Sequence, residues 1–218
     1  MKNKRAVVLL SGGLDSATVL YLAREKGYTV TCLIFDYGQR HRREIEAAKK
    51  IASGAGCPYI VEKIRLNNDT SALLNKGRKV PCYHAGRNIP STYVPARNII
   101  FLSYALFFAE SLKAQAIFIG AHAQDYSGYP DCRPEFLKAF ERAAQLGTAF
   151  GAKGGIRIAA PLVNKGKAEI INIGMRLKVP YQLTWSCYKG GRAPCGRCDS
   201  CYYRAKGFKE AGVRDPAL

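Results

Sequence analysis

Two short stretches of the chain hold residues whose types and spacing suit chemistry. The first is Ser11-Gly12-Gly13-Leu14-Asp15-Ser16, set between an apolar run at 6–10 and a helical stripe that begins at Ala17. A helix N-terminus presents unpaired N–H groups and partial positive charge. Two glycines let such a backbone come close to a phosphate, and the Ser11 and Ser16 hydroxyls add donors. Leu10 and Ala17 flank the loop and complete the candidate nucleotide contacts. Asp15 beside a phosphate needs a reason: it either helps to hold Mg²⁺ or caps the helix. The G-x-x-x-x-G-K-[ST] spacing of a P-loop is absent. A Gly-rich turn with no ligand is the plainer alternative, but the strand before and the helix after favour a nucleotide site.

The second stretch holds Cys187, Cys195, Cys198 and Cys201. Two successive C-x2-C steps with a fourth cysteine nearby suit a tetrahedral, closed Zn²⁺ site of structural type. Gly190, Gly191, Pro194 and Gly196 allow a tight knuckle around them. An iron–sulfur cluster is the rival, since four thiolates also bind those, and a catalytic cysteine pair is another. The other four of the eight cysteines are scattered. In a reducing compartment clustered cysteines point to metal rather than disulfides.

The elements that must position these residues are legible in the apolar pattern. Residues 6–10, 28–35, 59–64, 116–120 and 157–161 read as strands, short and β-branched or fully apolar. Helical spacing covers 17–26, 42–53, 98–112, 135–146 and 167–177, with Gly27 as a C-cap. The helix at 98–112 is apolar on all sides and reads as buried. Alternating strands and helices give an α/β fold with a mainly parallel sheet flanked by helices. Ligands in such sheets sit beyond the carboxyl ends of the strands. The Ser11 loop, Asp36-Tyr37-Gly38-Gln39 and the polar loop 121–133 all follow strands, so they converge on one edge. The irregular segment 67–92 is long enough to be a lid or binding loop. We expect a nucleotide-binding α/β domain over 1–180 and a zinc-binding segment over 181–218.

Three further segments carry a resemblance: Asp36-Tyr37-Gly38-Gln39-Arg40-His41, Tyr93-Val94-Pro95-Ala96-Arg97-Asn98, and Asp125-Tyr126-Ser127-Gly128-Tyr129-Pro130-Asp131-Cys132-Arg133. The Ser11 loop resembles the S-G-G-x-D-S pyrophosphate loop of the ATP pyrophosphatase superfamily, whose fold is Rossmann-like and typical of adenine nucleotide alpha hydrolases. With the cysteine cluster, all five segments together resemble the 7-cyano-7-deazaguanine synthase family along almost the whole chain. Ala96 departs from the pattern, standing where glycine is expected in many relatives.

The resemblance implies that ATP adenylates 7-carboxy-7-deazaguanine, that ammonia displaces AMP, and that a second activation of the amide yields the nitrile. Ser11, Asp15, Ser16, Arg97 and Lys167 are the candidate catalytic residues, with Lys165 a further candidate and Mg²⁺ at the phosphates, because charge builds up on the pyrophosphate. Asp131 leads as the contact to the guanine-like edge, since a carboxylate accepts two adjacent N–H donors. Asp125, Tyr126 and Arg133 join it; turn roles beside Gly128 and Pro130 are the plainer alternative for the two acidic residues, and the place of the segment after a strand at the ligand edge favours function for Asp131. His41 and His122 rank low, a lone histidine being more often structural. Cys132 is rejected as a nucleophile because nothing suggests an activating base.

Composition sets the outer bounds. The chain has 218 residues, 48% of them hydrophobic and 23% charged, as in an ordinary globular protein. The opening apolar run is too short for a signal peptide and no stretch spans a membrane, so a cytoplasmic enzyme is expected. Lys and Arg number 34 against 16 Asp and Glu, net +18. Such a charge attracts polyanions without specificity. It leaves open an adenylating enzyme that acts on tRNA, although no separate RNA-binding domain is visible. A non-catalytic nucleotide-binding module is disfavoured by the intact Asp15 and Ser16. The resemblance implies a homodimer.

Overall fold

The apolar run near the start of the chain becomes the middle strand of a five-stranded sheet. A computed structural model describes residues 4–66, 69–83, 89–125 and 128–217. The strands are β1 (Lys4–Leu9), β2 (Tyr28–Asp36), β3 (Tyr59–Lys63), β4 (Ala116–Phe118) and β5 (Arg157–Ala159). Their order is β3-β2-β1-β4-β5, and every pairing is parallel. The order reverses at β1, so the crevice for a ligand opens between the ends of β1 and β4.

Side chains alternate across each strand and feed two cores. Ala6, Val8, Cys32, Ile34 and Phe118 face α1 (Leu14–Glu25), α2 (Arg43–Gly54), α5 (Lys167–Arg176) and Phe208 of α6 (Asp199–Glu210). Val7, Leu9, Leu33, Phe35 and Ile117 face α3 (Arg97–Leu112) and α4 (Pro134–Gly147). The expected strands and helices all form, with ends shifted by a few residues. One helix was not expected: α6 begins inside the cysteine cluster, with Cys198 as its N-cap.

One other feature differs from the sequence reading. Helix α3 buries Leu102, Ala105 and Ala109 but leaves Ile99 42% and Phe107 63% exposed, so only one face is covered. The basic cluster at Arg40, Arg42 and Arg43 is engaged internally. Arg40 donates to the carbonyls of Ala72, Arg78 and Lys76 at 2.8–2.9 Å and so organises the irregular segment. Arg42 pairs with Asp36, and Arg43 lies 4.8 Å over the Trp185 ring. Among the described residues, no helix is long and apolar enough to cross a membrane.

Candidate active site

The loop after β1 turns at once into α1 and is drawn tight by its own hydroxyls. Ser11 and Ser16 Oγ lie 3.0 Å apart, Ser16 Oγ accepts the Ser11 N–H at 3.2 Å, and Ser11 Oγ accepts the Gly13 N–H at 3.4 Å. Gly12 has φ +85°, and a Cβ there would collide with the Glu44 carbonyl and the Ala48 N–H of α2. Glycine is needed on both counts. At Gly120, just past β4, a Cβ would lie 3.2 Å from Ser16 N, so the two strand ends close on each other. The C-terminal segment is tied in through Trp185, whose N–H donates to Gly12 O at 2.9 Å.

The loop borders a cavity of about 550 Å³ at the carboxyl edge of the sheet. Leu10, Ser11, Gly13, Leu14, Asp15 and Ser16 line it, as do Arg97, Asp125 and Lys167. Gly12 and Ala17 do not: Gly12 packs on α2 and Ala17 lies in the core. Across the cavity, Pro81, Tyr83 and Pro90 of the irregular segment meet Trp185, Tyr188 and Tyr203.

Lys167 is the first residue of α5, only 8% exposed, and it spans from the phosphate loop to the end of β4. Its Nζ donates to Asp15 Oδ1 at 2.7 Å and lies 2.9 Å from His122 Nε2. His122 Nε2 is 3.7 Å from Asp15 Oδ2 and 3.5 Å from Asp125 Oδ2. His122 Nδ1 is buried without a hydrogen-bond partner among the described residues. Burial pushes the Asp15 carboxyl up, but the Lys167 ammonium and His122 outweigh it and hold it below the ordinary value. Burial wins at Asp125, whose carboxyl sits above its ordinary value despite His122 and Lys167. Two carboxyls in one site are thus pushed in opposite directions, Asp15 down by its cationic neighbours and Asp125 up by burial.

Arg97 opens α3 on the other wall. Burial works against its charge, yet Tyr37, Tyr129, Cys132 and Asp131 hold the guanidinium more firmly protonated than usual. Near it, burial pushes the Glu44 carboxyl up to about 7, against Arg97 and a hydrogen bond from Gln39. Arg97, Glu44 and the aromatic rings of Tyr37 and Phe101 form one polar-and-aromatic wall.

Not all expected contacts converge here. Asp131 Oδ2 accepts the Asn98 backbone N–H at 2.8 Å, and Asn98 Nδ2 donates to the Asp131 carbonyl at 3.3 Å. That carboxylate serves the unpaired N-terminus of α3 and does not line the cavity, unlike the sequence expectation. Arg133 is exposed at the start of α4 and also lies off the cavity. Tyr126 is outside the described residues. Lys165 donates to Glu169 at 3.0 Å on the surface, which leaves Lys167 as the lysine inside. His122, which ranked low on the sequence, and Glu44, which the sequence did not single out, both line the cavity. His122 follows β4 directly, and the strand-end rule alone could have raised its rank. Glu44 sits in the first turn of α2 with no motif around it.

The cysteine cluster stands beside this cavity. The sulfurs of Cys187, Cys195, Cys198 and Cys201 all lie within 4.8 Å of one another, with Cys195 and Cys201 Sγ at 3.9 Å. A tetrahedral thiolate site with bonds of about 2.3 Å places its sulfurs about 3.8 Å apart, so the four residues fit a metal ion. A hydrogen bond from Cys201 leads the effects that lower the Cys198 thiol below its ordinary value. Tyr83 N–H donates to Arg197 O at 2.6 Å, and the Tyr83 ring stacks on Tyr202 at 3.6 Å. The irregular segment is thereby docked on the knuckle, and both roof the cavity.

Comparisons with known proteins agree with this arrangement. The chain is 56% identical to a 7-cyano-7-deazaguanine synthase of Pseudomonas putida (strain W619), covering 99% of this chain and 98% of that protein. It is 51% identical to the protein of the same name from Thermoplasma acidophilum, over 99% and 92% of the two chains. In fold it is similar to an NMN synthetase from Francisella tularensis, with a TM-score of 0.51 at 18% identity over 97% of this chain and 78% of that one. It is also similar in fold to a U34-tRNA thiolase from Methanococcus maripaludis, at a TM-score of 0.51 and 17% identity over 97% and 68% of the chains. The sequence profile described as queuosine biosynthesis protein QueC matches residues 5–212, and with these relatives it shows that the chain belongs to the 7-cyano-7-deazaguanine synthase family.

Proposed function

We propose that this chain converts 7-carboxy-7-deazaguanine, ammonia and ATP into 7-cyano-7-deazaguanine, as an ATP-dependent C–N bond-forming ligase of queuosine biosynthesis. The single observation that carries the mechanism is the Lys167 ammonium, set between Asp15 of the phosphate loop and His122. The substrate carboxylate attacks the α-phosphorus of ATP, and pyrophosphate leaves toward the Ser11–Ser16 N–H groups and Lys167. Donors fixed where charge develops lower that barrier most. Ammonia then attacks the acyl carbon, and AMP leaves with one carboxylate oxygen. The nitrogen sheds its proton to the Asp125–His122 pair. A second adenylation, on the amide oxygen, lets that oxygen leave with AMP while the nitrogen gives up its two protons, one after the other, to the same pair and to solvent, and the nitrile forms.

Glu44 and Arg97 face the base in this reading, in place of Asp131 and Arg133. Asp125 sits at the reacting end rather than on the base. Asp15, the carboxylate carried on the loop itself, would help to hold Mg²⁺ at the ATP phosphates, where the ion would supply positive charge. Zn²⁺ is the ion we assign to the four cysteines, in a structural role: it holds residues 181–218 against the nucleotide domain of residues 1–180. The exposed apolar stripe of α3, with Ile99, Tyr104 and Phe107, supports a homodimer through that helix. Sedimentation of a species twice 24.0 kDa, reduced to one chain by Phe107→Asp, tests that pairing.

Action on tRNA is the second reading. Its one support, the net charge of +18, is a property of the whole chain, and the local Arg40 cluster is already engaged internally. The activity test is mass spectrometry of product from purified protein with ATP, Mg²⁺, ammonium and 7-carboxy-7-deazaguanine. We expect the nitrile, with a loss of about 100-fold or more in Lys167→Met, the size of removing one preorganised donor. Full activity in Lys167→Met would remove the lysine from the mechanism.

A further inference from the structure

Helix α6 carries a glycine, Gly207, in its third turn, where glycine costs roughly 1 kcal/mol against alanine. Packing accounts for it. A Cβ at position 207 would fall well inside contact distance of Lys167 Cγ and 3.0 Å from both Lys167 Cβ and Ile171 Cδ1. The group that would have to give is the root of the Lys167 side chain, not its free tip. That side chain is held at the far end by Asp15 at 2.7 Å and His122 at 2.9 Å.

Helix α6 has little freedom to yield instead. Its N-cap and first turn hold Cys198 and Cys201 of the cysteine cluster. One turn before Gly207, the buried Arg204 donates to Asp215 at 2.6 and 2.8 Å, to Thr184 Oγ1 at 2.7 Å and to the Tyr181 carbonyl at 3.2 Å. One residue after, Phe208 meets the fully buried Tyr181 edge to face. Such a bonded and packed helix transmits a steric change rather than absorbing it.

We propose that Gly207 is a positioning residue for Lys167: its missing side chain forms the slot in which the Lys167 stem lies, fixing the ammonium between the phosphate loop and His122. The catalytic consequence rests on the role given to Lys167 above, whereas the slot itself does not. Gly207→Ala pushes the stem aside by about an ångström, a misplacement that can cost on the order of 100-fold in rate. The loss falls on kcat, with KM for 7-carboxy-7-deazaguanine within about twofold, because the ammonium acts on charge that develops during reaction.

The test uses Gly207→Ala, and beside it Gly207→Ala/Ile171→Val, which removes the Ile171 collision and leaves only the one with Lys167. Each is made in the wild-type and in the Lys167→Met background, with circular dichroism to confirm folding. We expect kcat to fall on the order of 100-fold in the wild-type background and by less than about twofold in Lys167→Met, since two changes acting through one group do not add. An independent readout is acylation of the Lys167 amine by acetic anhydride in the native protein, followed by mass spectrometry. It should rise at least about tenfold once the stem leaves its slot, because access governs the rate. Unchanged acylation with unchanged kcat overturns the proposal, as does an equal kcat loss in the Lys167→Met background. If wild-type protein makes no nitrile, the functional reading fails, and the acylation arm alone decides the slot.

Discussion

At the scale of single residues, the site is a set of charges whose protonation is set by neighbours. Asp15, Asp125 and Glu44 are all carboxyls at the cavity, yet Asp15 is held down by Lys167 against burial while the other two are pushed up by burial. Glu44 gives a measurable consequence. Its value rises from 4.5 in a free chain to about 7 in the fold, so the folded state holds its proton more tightly. The stability linked to this group is therefore full below pH 4.5 and is lost as pH rises through about 7. We predict that the melting temperature of ligand-free protein falls over that window, by the equivalent of about 3 kcal/mol at most, and that Glu44→Gln flattens the fall. Parallel pH curves for the two proteins would show that Glu44 ionises freely. The place of the Ser11–Ser16 loop, between a strand end and a helix start at the cavity, was legible in the sequence because its pattern is local. The surroundings of Glu44 and of the turned-away Asp131 were not, because each owes them to elements far along the chain.

At the scale of elements, the parts held by local pattern were legible and the parts held by tertiary contacts were not. The apolar runs of β1 to β4 and the stripe of α2 are fixed by periodicity. Helix α6 has few apolar residues and an internal glycine; it exists because Cys198, Cys201, Arg204 and Phe208 are each anchored elsewhere. The start of α3 offers a test of local strain. Ala96, its N-cap, sits at φ 55° and ψ 22°, the left-handed region that favours glycine. This is the position where the family resemblance led us to expect glycine. We predict that Ala96→Gly stabilises the protein by up to about 1 kcal/mol in urea unfolding, less whatever the looser unfolded chain takes back. A destabilisation would mean that Ala96 is not strained.

At the scale of the whole molecule, the cysteine knuckle joins the roof of the cavity to its floor. It docks the irregular segment through Tyr83 and opens α6, which packs on α5 and Lys167. Metal content is thus a property of the entire fold. We predict about one Zn per chain by metal analysis. Cys198→Ser should lower both zinc content and the melting temperature, because binding energy of a structural site is folding energy. Metal-free, fully stable protein would remove zinc from the account. The net charge of +18 belongs to this scale as well: it describes attraction at a distance and does not choose a substrate.

The central claim is that two successive adenylations move both carboxylate oxygens of the substrate onto AMP. The most direct measurement follows purified protein with ATP, Mg²⁺, ammonium and 7-carboxy-7-deazaguanine labelled with ¹⁸O at both carboxylate oxygens. The account predicts two AMP for each nitrile formed, each AMP carrying one ¹⁸O. Formation of ADP, or of AMP without label, would contradict it.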